Sequence, residues 1–316
     1  MNLNVAGFVS WRKRTETSAL GAFPRFASRR YFAVQVWPVS ARRDARYLGC
    51  DVDAPADERR LTKETRMPDT AANRHIKPFV YKTFTTKALH FSICETQSRM
   101  DLRHPDALNL EYTRSMMGFL LFDPAPANIA MIGLGGGSLA KFCYRHLPQS
   151  NIRVLEINPH VVALRDEFLV PPDCERFSVI QGDGADFVRD PPQPFEVLLV
   201  DGYDKKGLPI RLSSQDFYDD CFRMLTPGGI LVANLHFEHR HHAQHVARIR
   251  RSFGGAILVV DDYERGNSVV LAQSGRSPAS LRLGPLRRPR TLDEPAWKSL
   301  QGAFARILSA FKEQHA

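Results

Sequence analysis

The chain is poor in cysteine. It has five in 316 residues, far apart, with no Cys-x-x-Cys among Cys50, Cys94, Cys143, Cys174 and Cys221. That excludes a disulfide framework or a zinc ribbon and suits a reducing compartment, so the expectation is a cytoplasmic protein without a bound metal. Long apolar runs are missing too. No stretch approaches the roughly 18 residues a membrane-spanning helix needs, and no membrane partner is expected. The first 66 residues hold few acids before Asp44 and no apolar run after their basic clusters, which argues against a secretory signal.

The formal charge is +9, which alone would suggest nucleic acid. Its distribution argues otherwise. Residues 1–66 hold 13 Lys/Arg against 7 Asp/Glu, and residues 276–316 hold 8 against 3, which leaves −2 for residues 67–275. A nucleic-acid groove needs its basic residues on the folded surface, so no nucleic-acid partner is expected. Residues 1–66 show no sustained strand or helix period. They read as a basic, disordered extension; an organelle transit peptide and a true start at Met67 are the other readings of this composition.

From residue 67 to 122 the pattern is a small β domain followed by a helix. Phe79-Val80-Tyr81 and Leu89-His90-Phe91-Ser92-Ile93 are β-prone, and residues 106–122 have helical apolar spacing ended by Pro124 and Pro126. Residues 123–275 alternate strand and helix. Continuous apolar strands such as Val197-Leu198-Leu199-Val200 imply a sheet covered on both faces. The expected fold class is therefore α/β, a Rossmann-like, doubly wound, mostly parallel sheet preceded by a small β-hairpin domain. Residues 276–292 read as a linker. Residues 293–314 read as an amphipathic helix with Trp297, Leu300, Phe304, Ile307 and Phe311 on one face, docked on the main domain.

Ligands in this architecture bind at the carboxyl ends of the strands, and three features fall there in order. Gly133-Leu134-Gly135-Gly136-Gly137 follows the first strand and opens a helix. Glu156, followed by Ile157, ends the second strand, where an acid can accept both ribose hydroxyls. Gly182-Asp183-Gly184 ends the third. Singly, Glu156 also reads as an acid favoured by a helix dipole and Asp183 as a helix cap; together they favour a nucleoside site. The Gly-x-Gly-x-Gly spacing lacks the turn on which a pyrophosphate usually sits, which favours S-adenosylmethionine or a relative. Gly133, Gly135, Gly137, Glu156, Ile157, Asp183 and Gly184 are the candidate nucleoside contacts. His241 and His245 stand four apart, a metal-compatible spacing, but a solvent-facing helix start accounts for them without a metal.

From about Phe79 to Ser274 the chain resembles the spermidine synthase family of polyamine aminopropyltransferases. The best segment is Phe217-Tyr218-Asp219-Asp220-Cys221, continuing through Leu225-Thr226-Pro227-Gly228-Gly229-Ile230-Leu231-Val232. The family's catalytic Asp-Ser/Cys-Ser/Thr-Asp-Pro loop reads Asp201-Gly202-Tyr203-Asp204-Lys205 here. The resemblance implies Asp201 as the base that deprotonates an attacking amine, Asp204 as a group that holds it, and Tyr112 and Tyr263 as site tyrosines. Both tyrosines also read as half-buried packing residues. It implies decarboxylated S-adenosylmethionine, or S-adenosylmethionine, as co-substrate and a small amine such as putrescine as partner, with a homodimer left open. One departure is large. The family's glycine loop carries an aspartate toward the aminopropyl end of the donor, and Gly136 stands there instead. A charge-assisted contact of about 1.5–3 kcal/mol is thereby lost. A methyltransferase and a non-catalytic nucleoside binder are the alternative readings.

Overall fold

The structure is a computed structural model that describes residues 75–92, 95–204, 207–237, 239–262, 266–275, 281, 283 and 286–315. The expectations for residues 1–66, for Met67 and for Tyr263 lie outside the described residues.

Three short strands come first: β1 (Phe79–Lys82), β2 (Thr86–Ser92) and β3 (Glu95–Asp101). They form an antiparallel sheet in the order β1-β2-β3. The Thr83 hydroxyl accepts the Thr86 amide N–H at 3.0 Å and fixes the turn between β1 and β2. The helix expected over 106–122 is shorter. Leu110 is still extended, α1 covers Glu111–Met116, and a 3-10 turn carries on over Met117–Leu121.

The remaining strands build one seven-stranded sheet. They are β4 (Asn128–Ile132), β5 (Asn151–Glu156), β6 (Phe177–Gln181), β7 (Phe195–Val200), β8 (Leu225–His236), β9 (Ile257–Asp262) and β10 (Asn267–Gln273). Their order is β6-β5-β4-β7-β8-β10-β9. The first five run parallel, and β10 runs antiparallel to both its neighbours. Helices α2 (Ser138–His146), α3 (Pro159–Val162), α4 (Gly184–Arg189), α5 (Gln215–Met224) and α6 (His242–Ser252) connect them, and α7 (Glu294–His315) follows β10.

Successive side chains of a strand point to opposite faces, and both faces are covered. Ile129, Met131, Val197, Leu199, Val232 and Leu271 pack with α2, α7 and the 3-10 turn. Ala130, Ile132, Leu198, Val200, Leu231 and Val270 pack with α4, α5 and α6. That double burial is why the strands are apolar throughout.

Helix α7 contributes Leu300, Phe304 and Ile307 to the first of these cores, each at most 1% exposed. A Cβ on Gly118 would lie 2.5 Å from the Ile307 Cδ1, so the 3-10 turn and α7 touch without space for a side chain. At the far end of α7, the Gln314 side-chain amide meets β9: its Oε1 accepts the Val259 N–H at 3.1 Å and its Nε2 donates to the Val259 carbonyl at 2.6 Å. We expect Phe304→Ala to lower the unfolding free energy by about 3–5 kcal/mol, the usual loss for a buried phenylalanine. Urea unfolding measures it, and an unchanged midpoint would show that α7 adds nothing to the core.

Candidate active site

The chain order reverses beside β4: β5 and β6 extend the sheet on one side, β7 and β8 on the other. A crevice opens outside the carboxyl ends of strands at such a point. Here it is a cavity of about 840 Å³, roofed by Leu89 and Phe91 of β2 and by Ser98 of β3.

The glycine turn forms the cavity floor. Gly133 has a φ of 97°, and a Cβ there would lie 2.3 Å from the carbonyl oxygen of Asp201. Glycine is thus required for the ends of β4 and β7 to lie side by side. Gly133, Gly135 and Leu134 face the cavity. Gly137, at the start of α2, lies behind it, where a Cβ would meet Val170.

Glu156 is 8% exposed and faces the same cavity. Its Oε2 accepts the Leu134 N–H at 2.9 Å, and its Oε1 accepts the Asn158 N–H at 2.8 Å. Burial raises its pKa, and the amides of Leu134, Asn158 and Gly135 pull it back. The carboxylate therefore locks the glycine turn and keeps remaining acceptor capacity toward the cavity for a ligand. Ile157, half exposed, and Gly184 line the cavity beside it. Asp183 caps α4, its Oδ1 accepting the Ala185 N–H at 2.8 Å. Its Oδ2 lies 3.1 Å from Arg211 Nε, and Arg211 also reaches Asp186 at 2.6 Å. The capping reading of Asp183 thus describes one oxygen, and the other faces a guanidinium at the cavity rim.

Asp201 joins two elements that the sequence keeps far apart. Its Oδ2 accepts the Tyr112 hydroxyl at 3.0 Å, and its Oδ1 accepts the Asn234 Nδ2 at 2.9 Å. Burial pushes the carboxyl above its ordinary range, against the hydrogen bonds from Asn234 and Tyr112 and the charge of His236. Burial and the Asp201 charge hold the Tyr112 phenol well above its usual value, so it keeps its proton and donates. Tyr203 donates to the Asn234 carbonyl at 3.0 Å and stands edge-on to His236, ring centroids 4.6 Å apart. Asp204 is exposed at the cavity mouth, its backbone paired both ways with Gly207. Asn234 was not singled out from sequence, and His236 stood out only as the first of the histidine run, not as a neighbour of Asp201. A lone amide inside the apolar run of β8 was the available signal.

Gly136 is not open space. A Cβ there would lie 2.6 Å from Ser98 Oγ and 2.9 Å from Phe168 Cδ1. The small sheet has closed over the position that carries the loop acid in the family resembled above.

The histidine run after β8 is largely solvent-facing: His239 and His241 are exposed, His242 is half-buried and His245 alone is buried. The rings of His239, His241 and His245 lie 5.4–6.3 Å apart, with His245 buried and pushed down to about 4 chiefly by that burial. His239 Nδ1 accepts the His241 N–H, and His241 Nε2 accepts from Arg240 Nε. Those two nitrogens use their lone pairs on hydrogen bonds, so a neutral ring offers an N–H at its other nitrogen. Among the described residues, no group of three or more ligating side chains is arranged for a metal ion.

The packing at Gly136 gives a stability prediction. Gly136→Asp should lower the unfolding free energy by about 1–3 kcal/mol, a typical overpacking cost, seen as a lower thermal midpoint. A variant as stable as wild type would show that Ser98 and Phe168 give way freely.

Known proteins are similar to this chain in sequence and fold. The spermine/spermidine synthase domain family matches residues 109–261. A polyamine aminopropyltransferase of Chromobacterium violaceum is 36% identical over 203 residues, covering 64% of this chain and 77% of its own length. A probable spermidine synthase from Corynebacterium glutamicum shares the fold, with a TM-score of 0.55 at 22% identity over 62% of this chain and 76% of its own. A spermidine synthase solved with the transition-state analogue AdoDATO shares it at a TM-score of 0.51 and 16% identity, over 74% of this chain and 88% of its own. The chain is a transferase that belongs to the spermine/spermidine synthase family of polyamine aminopropyltransferases.

Proposed function

We propose that this chain transfers an aminopropyl group from decarboxylated S-adenosylmethionine to a small amine such as putrescine. The observation that carries the reading is the half-buried Asp201 carboxyl, hydrogen-bonded by Tyr112 and Asn234 on the wall of the cavity that Glu156 also lines. The AdoDATO complex of a spermidine synthase of the same fold supports a ligand of this class.

The donor supplies an electrophilic carbon beside a sulfonium. In this reading Glu156 accepts the ribose hydroxyls, with Gly133, Gly135 and Ile157 along the nucleoside and Gly137 shaping the turn behind them. Asp183 with Gly184 meets the adenine edge, where its oxygen now held by Arg211 is the available acceptor. Asp201 orients the amine and takes its proton as the nitrogen forms its new bond to carbon and sulfur leaves with the C–S pair. The raised pKa suits that work, because a base is effective when its pKa approaches the working pH. Asp204 at the mouth draws the cationic amine inward. Tyr112 keeps its proton and fixes the oxygen of Asp201 that faces it. Tyr263 belongs to this set by resemblance alone.

Three outcomes follow. Asp201→Asn should lower single-turnover transfer by about 10²–10⁴-fold with methylthioadenosine affinity unchanged. In wild type the rate should rise with pH through a midpoint above the ordinary carboxyl range, because only the ionised carboxylate accepts a proton. Equal rates for both proteins at every pH would refute the assignment. Glu156→Ala should weaken methylthioadenosine binding by about 1 kcal/mol or more, measured by calorimetry. The same titrations with decarboxylated and intact S-adenosylmethionine test the donor: tighter binding of the decarboxylated form supports aminopropyl transfer, tighter binding of the intact form supports methyl transfer, and no binding of either refutes both.

A further inference from the structure

Tyr112 donates to Asp201 from a helix that is poorly fixed by its own residues. Helix α1 has six residues, and its N-cap, Leu110, makes no side-chain capping bond. So short a helix is unstable alone and takes its position from what it packs on. Met116 and Met117, buried, hold its last turn. Its first turn, where Tyr112 sits, buries Thr113 and is otherwise held by ion pairs. Glu111 Oε2 meets Arg114 at 2.8 Å, and Glu111 Oε1 meets Arg306 of α7 at 2.5 Å. Arg114 lies in α1 itself, so that bridge stiffens the turn without deciding where it lies. Arg306 comes from a helix anchored separately by Trp297, Leu300, Phe304 and Ile307.

The Arg306 side chain is 40% exposed and that of Glu111 17%. A bridge so placed adds little to stability. Its geometric effect is larger, because Glu111 and Tyr112 are consecutive and a swing of the first moves the second off Asp201.

We infer that Arg306, in the C-terminal helix beyond the residues matched by the family domain, is a positioning residue for the active site: through Glu111 it holds the Tyr112 hydroxyl on Asp201. The link to catalysis rests on the function proposed above; the link to Asp201 itself does not.

The test separates the two. In full-length protein labelled with ¹³C-aspartate, the Asp201 carboxyl signal, identified by its loss in Asp201→Asn, is titrated against pH. A hydrogen bond to the charged form lowers an acid's pKa, so losing it raises the midpoint. Arg306→Ala should raise the Asp201 midpoint by about one unit, Arg306→Lys should restore most of the difference, and Tyr112→Phe should raise it as much as Arg306→Ala. The double variant should move it no further, since both changes remove one interaction. With donor and putrescine, Arg306→Ala should lower kcat by about tenfold and move the acid limb of the pH profile upward by the same amount. An Asp201 midpoint that stays put in Arg306→Ala, or fails to move in Tyr112→Phe, overturns the inference. Absence of transfer by wild type, with the midpoints moving as expected, overturns the proposed reaction and leaves the positioning role standing.

Discussion

The carbonyl oxygen of Asp201 occupies the space where a side chain on residue 133 would begin. That contact draws the ends of β4 and β7 together and brings the glycine turn beneath the Asp201 carboxyl. The Gly133 amide bonds back to Leu155 at 2.8 Å, and the Asp201 amide bonds to Ile132 at 2.9 Å. Three strand ends are thus fastened at one point, and Glu156 leaves β5 from the same place. A larger residue at 133 would part the strands and separate the two carboxylates.

Both carboxylates are partly withdrawn from water, and the surroundings compensate each in a different way. Glu156 is answered by main-chain N–H groups, which do not titrate and hardly move. Asp201 is answered by a phenol and a side-chain amide from two distant elements. Burying charge is costly unless it is hydrogen-bonded, so Glu156 is held firmly and Asp201 depends on how accurately its partners are placed. Asn234 adds to that sensitivity: its Oδ1 is buried without a hydrogen-bond partner among the described residues.

The large sheet was legible in the sequence because its strands are buried on both faces and therefore apolar throughout. Strand β3 gave a weaker signal, falling within the run of short strands read over 78–100 but mostly polar, with burial at alternate positions such as Ser98 and Met100. The glycine turn, Glu156, Asp183 and Asp201 could be placed on one rim because each ends a strand and strand ends share an edge. What those side chains touch could not be read, since Arg211 meets Asp183 and Tyr112 meets Asp201 only through the fold. The start of α1 was misjudged because apolar spacing continues through residues 106–110, which form a turn and an irregular segment that ends in the extended Leu110. The filling of the space at Gly136 by Ser98 and Phe168 had no sequence signal, as it depends on how the small sheet lies over the loop.

The amide of Gln314 has the same donor and acceptor as a peptide group, and it presents both to Val259 on the outermost strand of the large sheet. An unguarded outer strand is a template on which a second chain can add its own strand. With Val259 already answered, such an incoming strand would find its ladder interrupted near the middle of β9. A single side chain at the end of a helix thereby interrupts the edge through hydrogen-bond chemistry, adding to the charge of Asp261 near the end of the same strand.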